Sequence, residues 1–292
     1  MDAVTQVLGE RGVVLGVASL VLKEGMTAER AEEVVRAGVA AGAVAIDTAR
    51  AYATVDDEAV GERLAKVARD AKPGLPIITK AGHFRIATSA WDADGSAERL
   101  RHDAEVSREV FGAPPSLLLL HRADRVRDIE ESVRTLAELR DEGVVETIGL
   151  SNATVEMLEQ VSAITHINAV ENRLGLGVDK FDEYRYCAEN DIAFLAYAPF
   201  GGPQAAPLAT RVPRVAALAM ARGVSVHRLT LAAMIDALPG CWPVVGPTRV
   251  ESAADAAAAG HDQVDAELRD AFAEDMRSRD VPLPEASVAS AE

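Results

Sequence analysis

The chain has only two cysteines in 292 residues, Cys187 and Cys241, which supply neither a disulfide framework nor a thiolate metal set. No cluster of histidines and acids has the spacing of a ligand set, so no metal is expected. Neither GxGxxG nor GxxxxGK followed by Ser or Thr occurs, so the glycine-rich phosphate turn of an open doubly wound sheet is missing. No apolar run reaches 18 residues, and no transmembrane helix is expected. The opening MDAVTQVLGERG carries two acids before any apolar run, unlike a secretory signal peptide. A soluble, cytoplasmic protein is the expectation. Bases are in deficit, 30 against 46 acids, for a formal charge of −16. That excludes a broad surface for nucleic acid or an anionic membrane, though not a small basic pocket for one phosphate. Aromatics are scarce too, with 6 Phe, 4 Tyr and 2 Trp, and lysines number only five: Lys23, Lys66, Lys72, Lys80 and Lys180. Each tyrosine and lysine therefore merits individual placement.

Apolar material is sufficient, at 49% of residues, for a large core. Short apolar runs alternate with longer stretches of helical period. Expected strands are Gly16–Leu20, Val44–Asp47, Pro76–Thr79, Leu117–Leu120, Thr147–Leu150, Ala169–Glu171, Ala193–Tyr197 and Pro243–Val245. Most are apolar throughout rather than alternating, as parallel strands covered on both faces are. Helices are expected over Met26–Ala41 (with Thr27 as N-cap), Asp57–Asp70, Ile129–Asp141, Val155–Val161, Phe181–Glu189, Arg214–Arg222, Val226–Leu238 and Glu267–Arg277. Eight such units in one chain indicate an α/β fold of the (β/α)8 TIM-barrel type. One domain is expected over residues 1–280, with a loosely ordered tail over 281–292.

In such a barrel the C-terminal strand ends point into the active-site mouth. Those ends carry Asp47 with Tyr52 five residues on, Lys80, His121, Ser151 and Asn152, Glu171, and Tyr197. Taken singly, each has an ordinary structural reading: a loop acid, a surface lysine, a core tyrosine. Together they are an acid, a phenol, an amine and an imidazole on neighbouring strands. A free tyrosine is a poor acid at neutral pH, but an adjacent ammonium lowers its pKa, and Asp47 can hold Lys80 charged. The set suits protonation of a carbonyl oxygen that becomes an alkoxide, with His121 hydrogen-bonding that oxygen.

The segments AIDTARAY (45–52), ITK (78–80), LLLLH (117–121), TIGLSN (147–152), FLAYAPFGG (194–202) and VVGPTR (244–249) occur in one order across about residues 13 to 257. In these segments the chain resembles the aldo-keto reductases. The resemblance implies a (β/α)8 barrel that binds NADPH or NADH across its mouth and reduces a small aldehyde or ketone. Carried over, Tyr52 would be the general acid/base, Lys80 its partner, Asp47 the partner of Lys80, and His121 the group that orients the carbonyl. Ser151 and Asn152 would hydrogen-bond the nicotinamide carboxamide, and Tyr197 would stack on the ring. Phe84 and Trp91 lie where the family commonly walls the substrate site; packing over the barrel rim is their alternative reading. Arg122 and Asp124, beside His121, could meet a polar substrate or form a surface pair.

The departures concern cofactor binding. Glu171 stands where the family usually has Gln, and a carboxylate there would favour oxidised, cationic nicotinamide. After Gly246, the positions that often carry a basic residue, an Arg and an Asn are here Thr248, Ser252 and Ala256. Arg249 remains to clamp a 2′-phosphate, or to sit simply in a first helical turn. NADP is the expected cofactor, with NAD as the alternative. Three other readings stay open: a sugar dehydrogenase running in the oxidative direction, a nicotinamide-binding regulatory subunit such as resembles potassium-channel β subunits, and, more distantly, a metal-dependent barrel hydrolase. Oligomeric state is not legible.

Overall fold

The computed structural model describes residues 8–9, 11–54, 57–88, 90–176, 181–202, 204–279, 281 and 283. The tail expected over 281–292 thus lies, apart from Val281 and Leu283, outside the described residues. Ten strands are described: β1 (Val14–Gly16), β2 (Ala45–Asp47), β3 (Ile77–Ala81), β4 (His83–Ala87), β5 (Ala90–Ala93), β6 (Leu117–Leu120), β7 (Thr147–Ser151), β8 (Ala169–Arg173), β9 (Ala193–Tyr197) and β10 (Cys241–Val245). Eight of them, all but the β4–β5 hairpin, close into a parallel barrel in chain order, with β10 returning to β1.

Around the ring lie α1 (Ala18–Leu22), α2 (Ala28–Ala40), α3 (Val60–Ala71), α4 (Ala97–Phe111), α5 (Ile129–Asp141) and α6 (Val155–Val161). They are followed by α7 (Phe181–Glu189), α8 (Leu208–Arg211), α9 (Pro213–Arg222), α10 (Val226–Ala237), α11 (Val250–Ala258) and α12 (Ala266–Arg277). Thr27, Ser96, Asp128, Thr154, Ser225 and Asp265 cap α2, α4, α5, α6, α10 and α12, each accepting the amide three residues on. No described helix is long and apolar enough to cross a membrane.

The four leucines of β6 show why the strands read as unbroken apolar runs. Leu117 and Leu119 pack with Val14, Ala45, Ile78 and Leu195 inside the ring. Leu118 and Leu120 pack outward with the helix-side core, including Leu136 and Leu139 of α5. Alternate residues face opposite sides, and both sides are dry.

Beyond the short helices α1, α8 and α11, which were not among the expected helices, three differences from the sequence expectation bear on the site. The strand expected at Gly16–Leu20 lies earlier, at Val14–Gly16; after one further bond from Val17 N to Asp47 O (2.9 Å) the chain turns into α1 and buries Leu20. A five-residue apolar run satisfies either period. Helix α4 was not anticipated, because two of its buried positions are polar, Asp103 and Ser107, and break the apolar stripe. The third, the β4–β5 hairpin, inserts between β3 and α4. Gly82 leads into it at φ +76°, where a Cβ would lie 2.9 Å from Asp94 O.

Candidate active site

The strand ends converge through backbone bonds that fold the segment after β2 over β3. Thr48 N donates to Ile78 O (2.9 Å) and Arg50 N to Lys80 O (3.0 Å). Lys80 is wholly buried; its ammonium donates to Asp47 Oδ2 and to Thr48 O (3.0 Å). The same Nζ lies 5.3 Å from the Tyr52 ring centroid and 3.3 Å from Glu171 Oε2. The rings of Tyr52 and His121 meet edge to face, centroids 5.8 Å apart.

Burial alone would lower the Lys80 pKa, but Asp47 and Glu171 outweigh it and hold the group charged, above its ordinary range. The Tyr52 phenol moves opposite to the sequence expectation. Burial, joined by the charges of Asp47 and Glu171, outweighs Lys80 and pushes its pKa up. Tyr52 therefore keeps its proton at neutral pH. Burial, with Lys80, His83 and Arg122 nearby, drives His121 well below its usual value, so this imidazole is neutral. Burial and the neighbouring Asp47 push Glu171 up to about 8.

A second buried network braces this set. Arg50 lies between Asp47 and Tyr52 in sequence and is 2% exposed, so its guanidinium must find partners inside the protein. It binds Glu62 on α3 at 2.5 Å, Glu58 at 3.2 Å, and approaches Asp103 on α4 at 3.6 Å. Asp103 in turn accepts Gly82 N (2.9 Å) and Arg99 Nε (3.0 Å). One network thus anchors the Tyr52 loop and the chain leaving Lys80 to the same two helices.

The cluster opens into a cavity of about 1300 Å³ lined by residues from most of the strand ends. At its inner end Ser151, Asn152, Glu171 and Tyr197 stand together. Tyr197 Oη donates to Asn152 Oδ1 (2.9 Å), and Asn152 Nδ2 donates to His121 O (3.0 Å) and Ser151 Oγ (3.2 Å). Asn152 (φ +60°) and Ala198 (φ +51°) hold left-handed backbone conformations at the cavity wall, local strain of the kind that clusters at binding sites.

The outer end is formed by Gly246, Pro247 and Arg249 before α11, facing Gly16, Ala18 and Ser19. A Cβ on Gly246 would lie 2.9 Å from Ser19 Oγ, so the two segments approach closely here. Arg249 is the N-cap residue of α11, and no hydrogen bond or ion pair holds its guanidinium among the described residues. Glu251 and Asp255 line the same end; Ser225 Oγ binds Asp255, leaving Arg249 as that end's free cation. Exposed Lys23 donates to Thr248 Oγ1 (3.2 Å), placing a second cation nearby.

The Aldo/keto reductase family model matches residues 12–273. The chain belongs to this family. An uncharacterized oxidoreductase of Schizosaccharomyces pombe is 25% identical over 242 residues, 82% of this chain and 77% of that protein. An aldo-keto reductase of Gibberella moniliformis is 30% identical over 187 residues, 63% of this chain and 56% of that one. Among solved structures, a Bombyx mori aldo-keto reductase in complex with NADP superposes with a TM-score of 0.71 at 20% identity, covering 90% of this chain and 88% of that one. At that identity the likeness shows the (β/α)8 fold.

Within this aldo-keto reductase fold, the site residues read from sequence fall into two groups. Asp47, Tyr52, His121, Ser151, Asn152, Glu171, Tyr197, Gly246 and Arg249 all line the cavity, with Lys80 directly beneath. Phe84 and Trp91 do not. Phe84 lies under the Arg99 guanidinium, 3.8 Å from ring centroid to Cζ, and lines a separate polar cleft. Trp91 donates to Ala51 O (3.1 Å) and carries Arg85 on its ring, 5.1 Å away. Both pack the hairpin against the rim, because in β4 the residue facing the cavity is His83. Arg122 lines the cavity while bound to Asp124 at 2.6 Å. Ser225 and His227, also on the wall, were missed; His227 stands edge to face with Phe200, centroids 5.0 Å apart. Only the helix-to-helix junction between α9 and α10 could have signalled them.

Proposed function

We propose that this aldo-keto reductase family oxidoreductase uses NADP to interconvert a small, polar aldehyde or ketone with its alcohol. The observation that carries the reading is the convergence of Asp47, Tyr52, Lys80 and His121 from three neighbouring strand ends at the floor of one long cavity. The residues fit a dinucleotide. Two buried polar atoms without a hydrogen-bond partner, His121 Nδ1 and the Lys80-paired Glu171 Oε2, sit at the inner end, where a carbonyl and a carboxamide would need partners. The outer end offers Arg249 and the α11 N-terminus to phosphate. Ser151, Asn152 and Glu171 would hold the carboxamide and Tyr197 would lie against the ring. A bound dihydronicotinamide supplies the hydride.

The chain's own groups handle the proton. Tyr52, kept protonated, donates to the carbonyl oxygen as charge develops there. Lys80, fixed by Asp47 and Thr48 O, presents a positive charge beneath the phenol and stabilises the phenolate left behind. Neutral His121 gives the oxygen a second polar partner. Oxidation of an alcohol needs the opposite form of Tyr52, so the oxidative rate rises with pH.

The test is NADPH consumption against a panel of aldehydes and ketones, with Tyr52→Phe alongside. Turnover by the native protein should fall to background in the variant while NADPH still binds. Turnover retained in Tyr52→Phe would overturn the mechanism. Tight NADPH binding without turnover on any substrate would favour a regulatory nicotinamide-binding role.

A further inference from the structure

We propose that Glu171 completes a buried two-carboxyl, one-ammonium cluster with Asp47 and Lys80 that stores one extra proton, and that this proton is released when oxidised nicotinamide binds. The inference rests on the cofactor reading above and assigns Glu171 a part in it as a positioning residue for the ring's charge.

The geometry comes first. Side-chain exposures are 0% for Lys80, 3% for Asp47 and 4% for Glu171, so none of the three charges is solvated. Lys80 directs two of its three N–H groups to Asp47 and Thr48 O. Glu171 Oε2 lies 3.3 Å from Nζ, close enough for ion pairing, yet makes no hydrogen bond. Two carboxylates against one ammonium would leave a net negative charge in a dry site, which is costly. The Arg50 network in the same protein does not share this imbalance: Arg50 and Arg99 face buried Glu62 and Asp103, two against two.

Among the described residues, no other cation acts on Glu171. The groups facing Glu171 are Asp47 from β2, Tyr52 from the following loop, Lys80 from β3, His121 after β6 and Tyr197 from β9. His121 is neutral, both phenols are protonated, and Arg122 is turned onto Asp124. The excess is met by a proton, and burial together with Asp47 holds it on Glu171, whose pKa rises to about 8. At neutral pH Glu171 is mainly an uncharged acid, able like Gln to donate as well as accept. This replaces the permanent carboxylate expected from sequence.

Glu171 also lines the cavity, so a cation docking there can take over the proton's role. The carboxyl O–H then breaks, the proton passes to solvent, and the carboxylate faces the cationic ring. No electrons move in this step. Reduced nicotinamide is neutral and displaces no proton.

Calorimetric titration in two buffers of different ionisation heat, between pH 6.5 and 8, tests the proposal on the native protein. Oxidised NADP should release close to one proton near pH 7, and its affinity should tighten by up to about tenfold per pH unit below the Glu171 pKa. NADPH should release none beyond the titration of its own phosphate, which the two forms share. In Glu171→Gln the difference between the two forms should vanish. Equal proton release by both forms in the native protein, or an undiminished difference in Glu171→Gln, overturns the proposal while leaving the cofactor reading intact. Failure to bind either form overturns the cofactor reading itself.

Discussion

The imidazoles of His83 and His121 meet edge to face, with centroids 4.8 Å apart and planes at 85°. His83 comes from the hairpin and His121 from the barrel, so this contact joins the inserted element to the proposed carbonyl site. Burial, with Arg122 and Arg125 nearby, lowers the His83 pKa to about 4, and its Nδ1 is buried without a partner. His83 is therefore a neutral polar contact available to a substrate oxygen next to the carbonyl. His83→Phe should raise KM for a hydroxyaldehyde by about tenfold, the worth of one hydrogen bond, and leave an apolar aldehyde nearly unaffected. Equal changes for both substrates would remove this role.

Among the described residues, Arg249 is a cation of the outer cavity with no hydrogen bond or ion pair. Arg249→Ala should weaken NADP binding by roughly 10- to 100-fold, as loss of a charge-assisted hydrogen bond does, and leave NAD binding within twofold. Dissociation constants for both cofactors decide the matter. A parallel loss for both would place Arg249 outside the 2′-phosphate site.

Arg50→Met leaves Glu62 buried without its guanidinium, while Asp103 loses the second of its two and keeps Arg99. Removing one partner of such a network costs about 3–5 kcal/mol. Urea denaturation should show a loss of that size, and kcat should fall at temperatures where the variant remains folded, because the Tyr52 loop is released. A loss below about 1 kcal/mol would mean that the network does not brace the site.

Stability should carry the mark of Glu171 as well. Its folded pKa, about 8, lies above the unfolded carboxylate value, so folding takes up a proton. That contribution is fully present below the unfolded pKa and is lost as pH rises through 8. In Glu171→Gln the loss is absent, and Asp47 and Lys80 remain as a one-to-one pair. Relative to native protein, the variant should gain about 3 kcal/mol in unfolding free energy on going from pH 6 to pH 9. A constant difference across that range would show that Glu171 does not titrate in the folded protein.

Much of the fold was legible because parallel strands advertise themselves: LLLL at 117–120 and AFLAY at 193–197 fall on β6 and β9 residue for residue. The strand ends were legible for the same reason, since the period that locates a strand also locates its terminus, and Asp47, Lys80 and His121 follow directly. Helix α4 was hidden by its own function as a scaffold: Asp103 and Ser107 are buried to serve Gly82 and Glu62, so the stripe looks polar. The hairpin misled differently. Its aromatics drew attention to Phe84 and Trp91, whereas register turns His83 to the cavity and the aromatics to Arg99 and Ala51 O. Charge imbalance at Glu171 is a property of three strands at once and has no signature along one.

The barrel closes by pairing β1 with β10, Val14 with Val244 and Leu15 with Val245, the earliest strand with the latest. The outer cavity straddles that joint, with Gly16, Ala18 and Ser19 on one lip and Gly246, Pro247 and Arg249 on the other. A dinucleotide laid along the cavity would act as a clasp across the seam. Its grip would be felt in breathing of the ring, with amide exchange in β1 and β10 slowed more than in β6 and β7 on the far side.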